Sequence, residues 1–203
     1  MKIIQTAAAP NPRRVRIFLA EKAITVAFEE RDMMAEAFKT AEFTEMNPWQ
    51  RVPLLVFDDG RTLAESVAIC RYFEEMQPDP PLFGAGAFGK AAVEMWNRRV
   101  ELGLFAAIAH AFRHLHPKMA HLEMPQVPAW GEVNKEKVQT ELMRLDQALA
   151  KSRYLAGDAF SIADITLLVA IDFMKPSKLS VPDCCMNIAR WYAEVSARPS
   201  AKA

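Results

Sequence analysis

The sequence contains only three cysteines, Cys70, Cys184 and Cys185, and no C-x-x-C pair. An odd number of cysteines without regular spacing does not make a disulfide framework, and this usage is typical of a reducing compartment. The first nine residues carry one lysine but no apolar run long enough for a signal peptide, and no later stretch reaches about 18 consecutive apolar residues. We therefore expect a cytoplasmic protein that does not bind a membrane.

An excess of charge of either sign is also missing, since 25 basic side chains balance 25 acidic ones. A surface that binds nucleic acid would need a basic excess on some stretch of the chain. The richest basic cluster, Arg13, Arg14 and Arg16, lies among apolar residues at helical spacing. With 51% hydrophobic and 25% charged residues, the composition is that of an ordinary soluble globule with no nucleic-acid partner.

The first 80 residues alternate strand and helix patterns. Lys2–Gln5 and Val26–Arg31 read as strands, and Pro12–Ala23 between them has helical spacing, which predicts a βαβ unit. Asp59-Gly60 is a strong hairpin signal. The remaining elements predicted in this half are a helical turn, two hairpin strands and a closing helix: Thr40–Met46, Pro53–Phe57, Arg61–Leu63 and Glu65–Gln77.

Residues 77–81 contain three prolines, which break the chain direction and suggest a domain boundary. No strand pattern follows them. We predict an α/β domain at 1–80 and an all-α domain at 88–203. The helices expected in the second domain are Lys90–Leu115, Gly131–Lys151, Ser161–Asp172 and Met186–Ser196.

Two motifs carry a resemblance to a known family. R-V-P-L-L-V at 51–56, followed by L-A-E-S-V-A-I-C-R-Y at 63–72, closely resembles the glutathione-binding signature of cytosolic glutathione transferases. F-S-I-A-D at 160–164 resembles the capping box that opens a core helix in the same family. In this interpretation Ser161 and Asp164 only cap a helix, so Asp164→Ala should cost about 1 kcal/mol of stability.

The resemblance covers essentially the whole chain and implies a thioredoxin-like N-terminal domain with an all-helical C-terminal domain. It also implies how glutathione binds. The Val52 backbone, shaped by Pro53, would pair with the cysteinyl part, Glu65 and Ser66 would hold the γ-glutamyl end, and Arg51 would contact the glycyl carboxylate. For Glu65 and Ser66 the alternative is an ordinary helix cap with an acid in the first turn.

The catalytic group is less clear from the resemblance. Family members commonly place Tyr, Ser or Cys near the start of the first helix, but residues 6–11 contain none of these, and Ala9 occupies the serine position of the theta-like branch. The pattern is that of a bacterial or fungal theta- or nu-like branch. Asn11 could donate to the thiolate, or it could be the N-cap of a helix that continues with Pro12.

A second catalytic candidate lies in the helical half. Some members that lack the usual hydroxyl hold a water with residues of that domain, including a histidine, and His110, His114 and His116 lie near the end of the long predicted helix. We select His114, while surface or pocket-lining polar residues are the alternative. No third ligand accompanies these histidines, so we predict no metal site.

One position departs from the theta-like pattern. Phe38 stands where such members often carry a histidine for the glycyl carboxylate, and phenylalanine cannot make that hydrogen bond. Lys39 and Arg51 could compensate for it.

The resemblance implies an enzyme that conjugates the glutathione thiolate to a small hydrophobic electrophile, with peroxide reduction as a related activity. Glutathione would be the co-substrate and the protein a homodimer. A non-catalytic module that binds glutathione or an apolar ligand on the same fold is the alternative, favoured by Ala9. Maleylacetoacetate isomerase is a third reading, but its Ser-Ser-Cys stretch is absent.

Overall fold

The computed structural model describes residues 1–32 and 37–203. The chain forms two compact units. The first contains Met1–Pro81 together with the last five residues, Pro199–Ala203, and the second contains Leu82–Arg198. The division between them falls directly after the proline-rich stretch 77–81.

A four-stranded sheet organises the first unit. Its strands are β1 (Lys2–Gln5), β2 (Ala27–Glu30), β3 (Leu54–Val56) and β4 (Thr62–Ala64), in the order β2-β1-β3-β4. β1 and β2 are parallel, while β3 is antiparallel to both β1 and β4. The predicted βαβ unit followed by a hairpin is thus confirmed.

The described part of the first unit also contains the α-helices α1 (Pro10–Glu21), α2 (Ala41–Met46) and α3 (Ser66–Met76). α1 packs against α3. At one end of this contact the Lys22 ammonium is fully buried, 2.6 Å from the Glu74 carboxylate, and it also donates to the carbonyls of Gln77 and Pro80. This buried ion pair is hydrogen-bonded on several sides, which is the condition under which such a pair is tolerated.

The second unit is helical, as predicted. Its helices are α4 (Gly86–Arg99), α5 (Ala106–Leu115), α6 (Pro128–Leu149), α7 (Ile162–Asp172) and α8 (Met186–Ser196). The single helix expected at Lys90–Leu115 is wrong in one respect, because a π-helical turn, Val100–Phe105, separates α4 from α5. Gly103 in that turn lies against Glu141 of α6, where an added Cβ would come within 3.1 Å of the carboxylate. Among the helices of residues 1–32 and 37–203, none is long and apolar enough to cross a membrane.

Asp164 links α7 to the rest of the second unit. The predicted capping box is present: the carboxylate accepts hydrogen bonds from the Ser161 backbone and hydroxyl. It also accepts from the Leu155 backbone at 3.1 Å and from the indole nitrogen of the buried Trp191 at 2.9 Å. Asp164 is fully buried, and this burial raises its pKa to about 6. The residue therefore does more than cap a helix.

Candidate functional site

The strand register brings three loop segments to one end of the sheet. Leu54 pairs with Ala64 and with Ile4, both antiparallel, so the residues before β3, after β4 and after β1 share one edge. Those residues are Val52–Pro53, Glu65–Ser66 and the turn that leads into α1. Segments far apart in the sequence, including most of the predicted glutathione-binding residues, are brought together there.

The turn into α1 presents Asn11. α1 begins at Pro10, with Ala9 at the N-cap position, so Asn11 is the second residue of the helix and the N-cap interpretation of Asn11 is wrong. A proline on each side of Asn11 lacks an N–H group, and the Arg13 N–H bonds to the Ala9 carbonyl. Among residues 1–32 and 37–203, no partner is found for the Asn11 backbone N–H, which is therefore a free donor in the first turn. Within the described part of the chain, the exposed Asn11 side chain also has no hydrogen-bond partner.

The segment before β3 has a free backbone. The Val52–Pro53 peptide bond is cis. Val52 is half-buried, and neither its N–H nor its C=O finds a partner within the described ranges. The preceding loop is held by the buried Asn47, whose side chain donates to the Arg51 carbonyl at 2.8 Å and accepts from the Trp49 N–H at 3.2 Å. An extended peptide can pair with such an edge as an added strand.

The start of α3 presents free backbone amides beside Ser66. Ser66 is its first residue, and the amides of its first turn are unpaired as at any helix N-terminus. Glu65 precedes it with φ of 67° and ψ of 115°. Residues other than glycine adopt this backbone conformation at a cost of about 1–3 kcal/mol. The Glu65 side chain is exposed and has no ion-pair partner in residues 1–32 and 37–203. This strain at a predicted site residue is typical of functional positions.

The structure adds a residue that sequence reasoning missed. Arg14 is buried, and its Nη1 donates to the Ser66 hydroxyl oxygen at 2.7 Å. Because that oxygen accepts from the guanidinium, the Ser66 hydroxyl proton is free to be donated to a ligand carboxylate. The signal in the sequence was an arginine on the apolar face of α1, which interrupts the pattern of Val15 and Phe18.

The remaining predicted contacts lie beside these segments. Lys39 and Arg51 are both exposed, and the Arg51 guanidinium donates to the Gln50 carbonyl at 3.2 Å. Phe38 is buried, packing edge-on against Phe43 at 5.0 Å in a cluster that includes Ile4 and Leu54. Phe38 therefore fills the core under this end of the sheet. Binding of a glycyl carboxylate would depend on the positive charges of Lys39 and Arg51.

In the second unit the histidines separate into different roles. His114 is buried: its Nδ1 accepts from the Val127 N–H at 3.0 Å, and its Nε2 lies 3.7 Å from the Glu123 carboxylate. His116 accepts from the Lys118 N–H at the start of the loop after α5. The hydrogen bond from Val127 to His114 thus holds the α5–α6 connection against α5.

His110 is the histidine that lines a cavity. This cavity, of about 610 Å³, lies between α5 and α6, with Trp130 packed edge-on against the imidazole at 5.9 Å. Burial and the neighbouring His114 lower the pKa of His110, which favours the neutral ring. Within the described ranges, no group of three or more His, Cys, Asp or Glu side chains is placed to hold a metal ion.

Taken together, the first unit offers complementary groups for a short zwitterionic peptide. A helix N-terminus with a free hydroxyl suits a carboxylate, an unpaired carboxylate suits an ammonium, and an open strand edge suits an extended backbone. The Asn11 amides lie at the same edge and could stabilise a further anion.

Comparisons with known proteins identify the family. Residues 8–76 match the family model "Glutathione S-transferase, N-terminal domain", and residues 109–199 match "Glutathione S-transferase, C-terminal domain". Glutathione S-transferase 2 of Saccharomyces cerevisiae is 36% identical over 205 residues, covering 100% of this chain and 88% of the relative.

Solved structures show the same likeness. The crystal structure of Gtt2 from S. cerevisiae aligns with a TM-score of 0.94 at 36% identity over 100% of this chain and 99% of that one. A glutathione S-transferase domain-containing protein of Marinobacter aquaeolei aligns with a TM-score of 0.95 at 39% identity, over 98% and 99% of the two chains. With both family models and a full-length relative matched, the chain belongs to the glutathione S-transferase family.

Proposed function

We propose that the protein binds glutathione at the shared edge of the sheet and activates its thiol for attack on a small hydrophobic electrophile. The observation that carries this proposal is the convergence of three groups: the Asn11 turn, the unpaired Val52 backbone, and the start of α3 with Glu65 and Ser66. The γ-glutamyl carboxylate would accept from the Ser66 hydroxyl and the α3 amides, and its ammonium would pair with Glu65. Lys39 and Arg51 would attract the glycyl carboxylate.

Activation of the thiol requires preferential binding of the thiolate. A free thiol titrates near 8.5, and each unit by which the pKa is lowered requires about 1.4 kcal/mol of preferential stabilisation. Asn11 carries two amide donors, one in the backbone and one in the side chain, at the positive end of α1. We assign the thiolate contact to Asn11 because Ala9 has no hydroxyl and the Asn11 side chain has no capping role.

Asn11→Ala is expected to raise the pKa of bound glutathione by about one unit, because one amide donor to the thiolate is lost. The measurement is the ultraviolet absorbance of the thiolate, recorded between pH 5 and 9 with glutathione bound to wild type and variant. Turnover of a generic aromatic electrophile would be followed over the same pH range.

Asn11→Asp serves as the matched variant, since it keeps the size of the side chain but places a negative charge beside the sulfur. It should raise the pKa of bound glutathione further than alanine does. An unchanged pH profile in both variants would rule out the Asn11 assignment. Wild-type protein that binds glutathione but keeps it protonated, without turnover, would instead support the non-catalytic binding module.

His114 is the second proposed catalytic residue. Its Nδ1 is occupied by the Val127 N–H, which leaves Nε2, facing Glu123, as the nitrogen that can hold a water or pass a proton. We rank His114 below Asn11 because one ring nitrogen accepts a hydrogen bond from the α5–α6 connection.

We propose that the helical unit supplies the contacts to the electrophile. The corresponding biological role is detoxification, the removal of reactive electrophiles in the cytoplasm.

We also propose that the protein is a homodimer, because α4 and the turn after it expose apolar side chains in a row. Phe88, Met95 and Leu102 follow one another at intervals of seven residues and are 87%, 41% and 62% exposed. In the first unit, Trp49 is 77% exposed on the loop that Asn47 holds in place. Exposed large apolar side chains on rigid elements are the usual anchors of protein interfaces.

Leu102→Glu is expected to weaken the dimer by about a hundredfold or more, because a charge would replace one of the apolar side chains of the row and be buried in the interface. Sedimentation velocity at micromolar concentration measures the change as a shift toward monomer. Met124→Glu is the matched control, since Met124 is 79% exposed but lies outside the row. Equal behaviour of the two variants, or a monomeric wild type, would contradict the assignment.

A further inference from the structure

Three sulfur atoms lie close together at the start of α8. Cys184 and Cys185 directly precede this helix, and Met143 lies on the neighbouring α6. The Cys184 Sγ is 3.9 Å from the Met143 Sδ. Cys184 and Cys185 are consecutive in the chain, and the Cys184 thiol is among the neighbours that raise the pKa of the Cys185 thiol. The chain's two adjacent thiols thus share a small volume with a thioether.

The position of these sulfurs is fixed by Asp146, one turn beyond Met143 on α6. Its Oδ1 accepts from the backbone N–H groups of Asn187 and Ile188 at 2.8 and 2.9 Å, and its Oδ2 accepts from the Asn187 side chain at 2.9 Å. A carboxylate that caps the first turn of α8 holds this turn against α6. The same contact therefore holds the two cysteines beside Met143.

We propose that Cys184, Cys185 and Met143 bind one soft monovalent metal ion, with Cu(I) as the best match. Two thiolates and a thioether are ligands that Cu(I) prefers, whereas Mg²⁺ and Ca²⁺ require oxygen. Metal–sulfur bonds of about 2.3 Å in a planar trigonal arrangement separate the sulfurs by about 4 Å. The distance of 3.9 Å between Cys184 and Met143 matches this spacing without movement of α6 or α8.

Access from solvent is consistent with such a site. Cys184 and Met143 are exposed, so an ion can enter from solvent, while Cys185 is buried and closes the inner side. Binding replaces the two thiol protons by the metal, which releases two protons and leaves a net charge of −1 on the complex. Burial and the nearby Asp146 carboxylate raise the pKa of the Cys185 thiol to about 11, so the metal must displace this proton. Cys70, the third cysteine, is fully buried and cannot compete for added metal.

The test is a titration of the reduced full-length protein with Cu(I) under anaerobic conditions, in competition with the chromogenic chelator bathocuproine disulfonate. The expected result is one Cu(I) per chain. Met143→Leu should lower the affinity by about tenfold, and Cys184→Ser by about a hundredfold, because each removes one sulfur ligand. Circular dichroism would show that each variant retains its helices.

Met186→Leu provides the matched control, because Met186 is adjacent to Cys185 but 68% exposed. The Cu(I) affinity of this variant should equal that of wild type. Equal affinity of Met143→Leu and wild type would overturn the three-sulfur site. So would Cu(I) binding that survives Cys184→Ser, or wild-type protein that takes up no Cu(I). If Cys185→Ser does not fold, the Cys184 and Met143 variants still decide the outcome.

Discussion

Replacing Asp164 by alanine is expected to lower the free energy of unfolding by about 3 kcal/mol. The carboxylate accepts from the backbones of Ser161 and Leu155 and from the Trp191 indole, and all of these donors are buried beside it. Alanine would leave them unpaired, and each such group costs about 1–3 kcal/mol. The gain from no longer burying a charge offsets part of this cost. Urea unfolding at pH 7, followed by circular dichroism, measures the difference.

Asp158→Ala is the control, because Asp158 is exposed in the segment just before α7 and its removal should change stability by less than about 0.5 kcal/mol. A loss of only about 1 kcal/mol in Asp164→Ala would return the residue to the role of a simple helix cap. That smaller value is what the sequence predicts when only Ser161 is considered as its partner.

The pH dependence of Asp164 has a definite sign. Its pKa is about 6 in the folded protein, against an ordinary value of 3.8, so between these values the unfolded chain binds fewer protons than the folded one. Stability from this residue therefore falls as pH rises from about 4 to 6, by up to about 3 kcal/mol, and is then constant. The difference in unfolding free energy between wild type and Asp164→Asn should show this fall, because asparagine does not titrate. A flat difference would contradict it.

Ser66→Ala is expected to weaken glutathione binding by roughly ten- to a hundredfold. The Ser66 oxygen accepts from Arg14, so its proton is directed to the ligand, and a hydrogen bond to a carboxylate is worth about 1.5–3 kcal/mol. Isothermal titration calorimetry with glutathione measures the change. Because the α3 amides remain, binding should be weakened rather than abolished.

Thr62→Val is the matched control, since it removes a hydroxyl from the opposite end of the adjoining strand β4. Thr62 donates to the Met46 carbonyl at 3.0 Å and should not contact glutathione. If the glutathione affinity of Ser66→Ala is within twofold of wild type, and the control is also unchanged, Ser66 does not contact glutathione. The family assignment would then stand, but the binding mode would have to be revised.

The sequence predicts most of the fold because its signals are local. The strand and helix patterns, the hairpin at Asp59-Gly60 and the capping box at Ser161 each depend on neighbouring residues. The π-helical turn at Val100–Phe105 could not be predicted in this way. It lies where Gly103 meets Glu141 of α6, a contact between residues almost 40 positions apart.

The site was predicted unevenly for the same reason. Val52, Glu65 and Ser66 form a contiguous motif, and the register of β3 and β4 explains why its two halves meet. Arg14 was missed because its partner, Ser66, lies 52 residues away. The N-cap alternative for Asn11 follows from the Asn-Pro pair, which often starts a helix, but here the helix begins at Pro10, two residues before Pro12.

The last five residues have a consequence for how the protein is made. Arg13 on α1 donates to the Ala201 carbonyl at 3.1 Å, and Ser200 is hydrogen-bonded to Glu21 at the end of the same helix. Synthesis on the ribosome proceeds from the N-terminus, and domains generally fold as they emerge. The α/β unit is translated first, yet its α1 helix stays unsupported on this side until Pro199–Ala203 leave the ribosome. The helical unit, although synthesised later, is therefore the first of the two to have its complete sequence available for folding.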